Sequence, residues 1–212
     1  TLPTAADSAY HASWLDAPSN VAPFTLALGG VPFNASRWTQ VKQQHQLSDR
    51  RIEVTTWTDP SSSLVINVTR TTYSTTPATE SVLRLTNTGQ SNTPVITGLR
   101  LLASFEAGTA PFGLLWSRGS NANILDYTPY STDLDVNESL QFSPTGGRSS
   151  NANVPPVDTP EARSHSLPFW RVTVPGKGGA IVALGWSGQW LTTWSATSGA
   201  SFSETYPGRI VP

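Results

Sequence analysis

The short stretch GWSGQ at residues 185–189 nearly matches the nucleophile elbow of serine hydrolases. That motif is G-x-S-x-G, in which a glycine on each side relieves crowding around a serine on a tight strand-to-helix turn. Here the second glycine, Gly188, directly follows Ser187 and is one place early. A hydrolase built on Ser187 would also need a histidine and an acid that meet the serine in space. We therefore expect Ser187 not to be a nucleophile.

Asp133, Asp135 and Glu138 form the only tight cluster among the fourteen acidic residues. Carboxylates support acid–base hydrolysis only when a rigid scaffold holds two of them at a fixed separation, and a solvated loop is the simpler interpretation of this polar stretch. The cluster begins like a calcium loop, which needs glycine at its sixth position and glutamate at its twelfth. Glu138 and Pro144 stand there. This excludes an EF-hand and leaves a looser cation site open.

His11, His45 and His165 are far apart in the sequence, and cysteine is absent. Zinc sites need several ligands held close together, and a catalytic histidine needs a nucleophile and an acid beside it. Nothing in the spacing nominates these histidines for either role, so surface positions are expected for all three. The sequence predicts no metal ion and no cofactor.

Tryptophan is abundant, with eight in 212 residues. Aromatic rings supply apolar faces with a polar handle, and the C–H faces of sugars stack on such rings. Trp186, Trp190 and Trp194 lie in or beside predicted strands, which favours places in the core. Trp116 opens a polar region instead, and it is the aromatic candidate for a carbohydrate contact.

That polar region also holds four further candidates, Asp126, Tyr127, Arg148 and Ser149. The stretch GGRSS at residues 146–150 combines a flexible backbone with a planar bidentate donor and two hydroxyls. Such a group could bind a sugar or a neighbouring domain. Asp126 could bridge two sugar hydroxyls, or it could pair with Arg148 as an internal loop clamp, and both interpretations stay open. With Trp116, these residues are the predicted carbohydrate or domain-interface set.

Composition excludes two classes of partner. Charged residues make up 13% of the chain and the net charge is −1, so the sequence offers no basic face for a phosphate backbone. The longest apolar run covers residues 180–186, far short of the roughly twenty residues that a membrane span needs. We expect neither nucleic acid nor a membrane as partner.

Three sequons, at Asn34, Asn67 and Asn137, are the predicted glycosylation sites. The chain begins at Thr1, contains no methionine and shows no apolar signal segment, as expected of a mature secreted protein whose leader has been removed. The expected location is therefore extracellular.

Period-two alternation dominates the first half of the chain. Residues 51–57, 64–69 and 82–86 alternate polar and apolar types, are rich in β-branched side chains and read as strands. Residues 59–63 and 87–92 between and after them are dense in turn formers. Antiparallel hairpins are the expected connections.

The C-terminal part predicts a further hairpin. Residues 169–174 and 180–186 flank a glycine-rich turn, and the second strand is apolar enough to be buried. Residues 190–195 are expected to continue the meander. A helix is expected only at residues 5–15.

Residues 119–166 contain few aliphatic side chains and little periodicity, which indicates long loops of the kind that often carry function. No composition shift divides the chain into two cores. We predict one all-β domain over residues 1–212, a large antiparallel β-sandwich with long loops.

The order of several short motifs resembles the N-terminal β-supersandwich domain of α-galactosidase-like enzymes of glycoside hydrolase family 36. The motifs that carry the resemblance are PFTLALGGVP at residues 23–32 with Trp38, WTDP at 57–60, LTNTG at 85–89 with TPVI at 93–96, DYTP at 126–129, GGRSS at 146–150, LPFW at 167–170 and GWSGQW at 185–190.

The resemblance implies that this chain is not itself catalytic. In that family the nucleophile and the acid/base are aspartates on a TIM barrel that follows the sandwich, and no barrel motif is present here. The stretch YPGRIVP at residues 206–212 looks like the last strand before such a barrel, with Arg209 where the family usually has an acidic residue. The implied partners are an α-galactoside and a catalytic barrel domain, whose pocket the sandwich loops help to wall. The alternative is an autonomous secreted carbohydrate-binding or interaction protein without enzyme activity.

Overall fold

The computed structural model describes residues 4, 6–7, 9, 22–104, 111–119, 124–144, 166–176, 178–186, 188–196 and 200–205. Its chain divides into two compact units, Thr1–Leu99 with Gly208–Pro212, and Arg100–Pro207. The described residues are dominated by antiparallel strands, which confirms the all-β prediction. The prediction of a single domain stays a prediction. In the described part of the chain, no helix has the length and apolar character needed to cross a bilayer.

The strands of the first unit begin with a hairpin and continue as a meander. They are β1 (Phe24–Leu28), β2 (Val31–Pro32), β3 (Thr39–Gln46), β4 (Arg50–Thr58), β5 (Leu64–Tyr73), β6 (Thr79–Asn87) and the start of β7 (Ile96–Ser104). A four-stranded antiparallel sheet has the order β3-β4-β5-β6. This confirms the three predicted strands and their hairpins.

The hydrophobic core of the first unit follows from the strand alternation. Trp57 of β4 lies opposite Ile66 of β5, and both side chains are buried. Phe24 of β1 packs edge-on against Trp57, with ring centroids 5.1 Å apart. The β1–β2 turn is formed by Gly29 and Gly30, with φ of 56° and 85°. Because both φ values are positive, glycine suits a two-residue turn of this hand.

The turn after β4 is closed by a buried carboxylate, that of Asp59. Its Oδ1 accepts hydrogen bonds from the backbone N–H of Ser61 at 3.1 Å and from the Ser61 hydroxyl at 2.9 Å, and its Oδ2 accepts one from the Ser62 hydroxyl at 2.6 Å. Burial alone would raise the pKa of Asp59, but these hydrogen bonds outweigh it and hold the pKa below its ordinary value of 3.8.

The second unit is a β-sandwich. Its strands are β8 (Phe112–Arg118), β9 (Pro129–Leu134), β10 (Ser139–Phe142), β11 (Ser166–Val174), β12 (Gly178–Ala183), β13 (Leu191–Ala196) and β14 (Ala200–Thr205), with the end of β7. One sheet has the order β12-β11-β8-β9, and the other contains β10-β13-β14-β7.

An aromatic cluster fills the space between these two sheets. Trp170 of β11 is fully buried and contacts Phe142 of β10, Trp190, and Trp194 of β13, with ring centroids 5.4 to 5.7 Å apart. Tilted and edge-on aromatic pairs of this kind stabilise a core beyond their buried area. The core positions predicted for Trp190 and Trp194 are confirmed.

Three expectations for the second unit were wrong. Strand β12 does pair with β11 as the predicted hairpin, but it lies at the edge of its sheet, and its apolar side chains are largely exposed rather than buried. Residues 190–195 do not continue that meander, because β13 joins the opposite sheet between β10 and β14. The segment 119–166 is not all loop, since it contains β9 and β10.

The described residues near the N-terminus include helical backbone at Ala6, Asp7 and Ala9. The Thr4 hydroxyl accepts a hydrogen bond from the backbone N–H of Asp7 at 3.2 Å, and the Asp7 carboxylate accepts one from the backbone N–H of Thr4 at 2.7 Å. This reciprocal pair is a capping box. Residues 10–15 of the predicted helix lie outside the described residues.

Candidate functional site

The structure describes three of the five predicted site residues, Trp116, Asp126 and Tyr127. Trp116 lies on β8 with only 3% of its surface exposed, and its ring stacks on Tyr130 and meets Phe142 edge-on. Strand β8 places Trp116 on the face turned toward the aromatic cluster, so the ring lies in the core and not at a surface open to sugar. Arg148 and Ser149 lie outside the described residues, and with them the alternative clamp to Asp126.

Tyr127 lies in a turn at residues 124–127, and its side chain is 62% exposed. Thr128 closes the turn, because its hydroxyl donates to the Leu125 carbonyl at 2.7 Å. Tyr127 has a φ of 66°, a left-handed conformation that is strained for a residue other than glycine or asparagine. The turn thus exposes an aromatic ring, and Asp126, the residue before it in the sequence, is half-buried.

The acidic cluster divides into a strand residue and a turn. Asp133 projects from β9, while the Glu138 carboxylate accepts a hydrogen bond from the backbone N–H of Asp135 at 2.9 Å. Glu138 also donates its own N–H to the Asp135 carbonyl at 3.0 Å. Through these two hydrogen bonds Glu138 stabilises the turn. Among the described residues, no group of three His, Cys, Asp or Glu side chains could hold a metal ion.

The stretch at residues 185–189 that resembles a nucleophile elbow lies in a loop after β12. Ser187 is outside the described residues, but its neighbours explain the displaced glycine. The Trp186 indole N–H donates to the Gln189 carbonyl at 3.0 Å, and a β-carbon on Gly188 would come within 2.9 Å of that indole nitrogen. Trp186 is 43% exposed, so the core position predicted for it was wrong. His45 is exposed on β3 as expected, and the other histidines lie outside the described residues.

The three sequons have different surroundings. Asn34 is exposed, and its side-chain oxygen accepts the backbone N–H and hydroxyl of Ser36. Asn67 lies in the central strand β5 and is half-buried, with its oxygen bonded to the Thr56 hydroxyl at 2.7 Å. Asn137 is exposed in a turn with φ of 70°. Glycosylation at these positions stays a prediction.

A surface that the sequence analysis missed lies on the side of β12-β11-β8-β9 that faces away from the aromatic cluster. We call it the outer face and define it by Leu115, Phe169, Arg171 and Ile181. Arg171 of β11 lies directly opposite Ile181 of β12 on one side and Leu115 of β8 on the other. Phe169 precedes Arg171 by two residues and therefore projects from the same side.

Three of the four residues that define the outer face are apolar and exposed. The exposed fractions are 39% for Leu115, 42% for Phe169 and 79% for Ile181. Antiparallel sheets with one face in solvent ordinarily carry polar residues there, so three large apolar side chains in one cluster are unusual. Part of this surface is visible in the sequence as the apolar run of residues 180–186, which contains Ile181 and by itself predicts a buried strand.

The fold occurs in known enzymes. No protein-family model matches the sequence, and no curated protein matches it. The α-galactosidase AgaA of glycoside hydrolase family 36 from Geobacillus stearothermophilus matches in structure with a TM-score of 0.55 at 12% identity, over 89% of this chain and 27% of that one. This chain has the fold of a portion of a family 36 α-galactosidase.

Two further α-galactosidase structures share this fold. The α-galactosidase from Lactobacillus brevis matches with a TM-score of 0.52 at 12% identity, over 92% of this chain and 27% of that one. The galactosidase domain of the α-galactosidase-sucrose kinase AgaSK matches with a TM-score of 0.54 at 12% identity, over 90% and 27%. The resemblance predicted from the motif order is thus confirmed for the fold. The chain spans about a quarter of the length of these three proteins.

Proposed function

We propose that the chain is a non-catalytic accessory domain of an α-galactosidase-like glycoside hydrolase, in which it packs on a catalytic domain and helps to shape the carbohydrate site. The observation that carries the proposal is the unequal coverage: the shared fold takes up 89% of this chain but only 27% of AgaA. Two of the described carboxylates are engaged in turns, that of Glu138 and that of Asp59, which agrees with a non-catalytic role for both.

The exposed outer face supports packing on another domain. A single exposed aliphatic residue is ordinary on a soluble protein, but a cluster of large ones marks an interaction surface. Leu115, Phe169 and Ile181 lie on three adjacent strands of one sheet. An accessory domain that covers this face with a neighbour would remove the apolar side chains from water.

A carbohydrate of the α-galactoside class is the proposed ligand of the whole enzyme. AgaA variants have been solved in complex with stachyose and with raffinose. In this chain the exposed Tyr127 ring is the described candidate to border such a ligand, because an aromatic face can stack on a sugar, and Asp126 precedes it in the same turn. Arg148 and Ser149 complete the proposed set, and secretion is proposed from the sequons.

The test combines two measurements on the protein purified from its source, intact mass after glycan removal and hydrolysis of a chromogenic α-galactoside. We expect a polypeptide much heavier than the 22.7 kDa of residues 1–212, and we expect it to hydrolyse the substrate. A stable, inactive species with only the mass of residues 1–212 would contradict the proposal. A heavier species without activity on any α-glycoside would contradict the assignment to a glycoside hydrolase.

A second candidate is an autonomous carbohydrate-binding protein, which the exposed rings of Tyr127 and Trp186 favour. If the purified species has only the mass of residues 1–212, a glycan array tests whether it binds carbohydrate. Binding that is lost in a Trp186→Ala or Tyr127→Ala variant would support it. Absence of binding to every glycan would reject it.

A further inference from the structure

Resting on the proposed function, we propose that the outer face is the surface on which the catalytic domain docks, and that the docked surface is apolar with a carboxylate placed against Arg171. This assigns both a place and a chemistry to the contact. The argument depends on four side chains, Leu115, Phe169, Arg171 and Ile181, and on the sheet that holds them in register.

The sheet fixes the geometry of the patch. Ile181, Arg171 and Leu115 form one row across β12, β11 and β8, and neighbouring strands lie about 4.8 Å apart. Phe169 extends the patch along β11. The opposite side of the same strands is buried in the sandwich core through Trp170, so the outer side chains cannot turn inward. The sheet therefore holds the four side chains on one side.

Strand β12 lacks the devices that usually protect the edge of a sheet. Edge strands commonly carry charged residues or proline on their exposed positions. Strand β12 has the sequence GGAIVA, and Ile181 is its most exposed large side chain. An edge strand of this composition is suited to being covered, and covering it would also extend the apolar contact beyond β11.

Arg171 determines the charge of the partner. Its side chain is exposed, and no described carboxylate pairs with it. Apolar side chains flank it on both sides, so a partner that covers Leu115 and Ile181 also removes water from the guanidinium. A desolvated charge without a partner is strongly unfavourable, whereas a bidentate carboxylate compensates for the lost water. A carboxylate opposite Arg171 follows from this requirement.

A second copy of the chain fits the patch poorly. In a two-fold contact the same surface meets itself, and Arg171 lies at the middle of the apolar row between Ile181 and Leu115. Mutual burial of that row would therefore bring the two guanidinium groups together. Among the described residues, the nearest acid on this side is Asp133, which lies two strands away on β9, at the opposite edge of the sheet. The charge pattern thus favours a different surface.

The first test measures whether the outer face is covered. Hydroxyl-radical labelling of the complete natural protein reports the solvent access of individual side chains. In the chain itself Ile181 is 79% exposed and Val82 of β6 is 40% exposed, so Ile181 should label faster if nothing covers it. We expect the order to be reversed, with Val82 labelling faster. Retention of the order Ile181 above Val82 in a heavy, active enzyme overturns this proposal and leaves the proposed function standing.

The second test identifies the carboxylate. In the complete protein carrying Arg171→Lys, a carbodiimide joins the introduced amine to a touching carboxylate as an amide with loss of water. We expect a cross-linked peptide from an Asp or Glu outside residues 1–212. The control is Arg84→Lys on the exposed edge strand β6, which we expect to give no such peptide. A cross-link from residue 171 to Asp133 alone, or none, overturns the assignment of a carboxylate partner.

The intact mass distinguishes a failure of the proposed function from a failure of the docking proposal alone. If the species has only the mass of residues 1–212 and no α-galactosidase activity, no catalytic domain is attached to it. The proposed function then fails, and the docking proposal fails with it. A heavy and active species with a freely labelled outer face rejects only the docking surface.

Discussion

A β-carbon on Gly188 would come within 2.9 Å of the Trp186 indole nitrogen. The glycine therefore makes room for the ring, which is held by the hydrogen bond from its N–H to the Gln189 carbonyl. The feature that mimics a hydrolase motif in the sequence has a packing explanation in the structure.

We expect Gly188→Ala to displace the Trp186 ring and to lose its hydrogen bond, at a cost of about 1 kcal/mol in the free energy of unfolding. Urea denaturation measures the loss, and a change in tryptophan fluorescence reports the ring. Gly185→Ala is the matched control, because a β-carbon there meets no atom within 4 Å. Equal effects of the two substitutions would contradict the packing role of Gly188.

Trp170 is the centre of the aromatic cluster in the second unit. We expect Trp170→Ala to lower the free energy of unfolding by about 4 kcal/mol, because it removes a fully buried indole that three other rings contact. Trp186→Ala, which removes a partly exposed indole, should cost much less. Chemical denaturation of both variants checks the ranking, and a milder effect at Trp170 would show that the cluster is not the core.

Because of Asp59, the free energy of unfolding should depend on pH in the acid range. Its pKa is lower in the folded chain than its ordinary value of 3.8, so its contribution is present above about pH 4 and is lost as the pH falls through the folded pKa. We expect Asp59→Ala to lose about 2 kcal/mol at neutral pH, since hydrogen bonds to a charged group disappear, and the difference from the wild type should shrink below pH 4. Urea titrations at a series of pH values measure it.

The Ser62 hydroxyl provides the control for that experiment. Ser62→Ala removes the 2.6 Å hydrogen bond to Oδ2 while leaving the Asp59 carboxylate in place. The pKa of Asp59 should rise toward its ordinary value, so the acid loss of stability should become smaller and should end at a higher pH. A profile identical to that of the wild type would show that the Ser62 hydroxyl does not stabilise the ionised carboxylate.

Tyr127 combines exposure with a strained backbone. We expect Tyr127→Gly to leave stability unchanged or to raise it by up to about 1 kcal/mol, because glycine adopts a φ of 66° without strain and the exposed ring contributes little packing. If the ring borders the proposed sugar site, the same variant of the complete protein should bind an α-galactoside more weakly. Thermal unfolding and a binding titration separate the two effects. A large loss of stability would show that the Tyr127 ring packs on its surroundings.

The sequence by itself determined the strands of the first unit. In β4, β5 and β6, alternation and turn formers act between neighbours along the chain, so the register that places Trp57 opposite Ile66 follows from short connections. The all-β class follows from the same local patterns, whereas the family 36 fold is predicted only by the resemblance of the ordered motifs to that family.

Only the tertiary structure decided which side of each strand is covered. Alternation assigns the side chains of β8 to two faces, but it does not say which face meets another sheet, so Trp116 lies in the core and Leu115 in solvent. The apolar run of β12 looked buried because hydrophobicity is a property of the residues, whereas burial depends on the neighbours that the chain brings from far away. For the same reason, strand β13 pairs with β10 and β14 instead of continuing the predicted meander after β12. This long-range pairing is set by packing around Trp170, and no local sequence pattern encodes it.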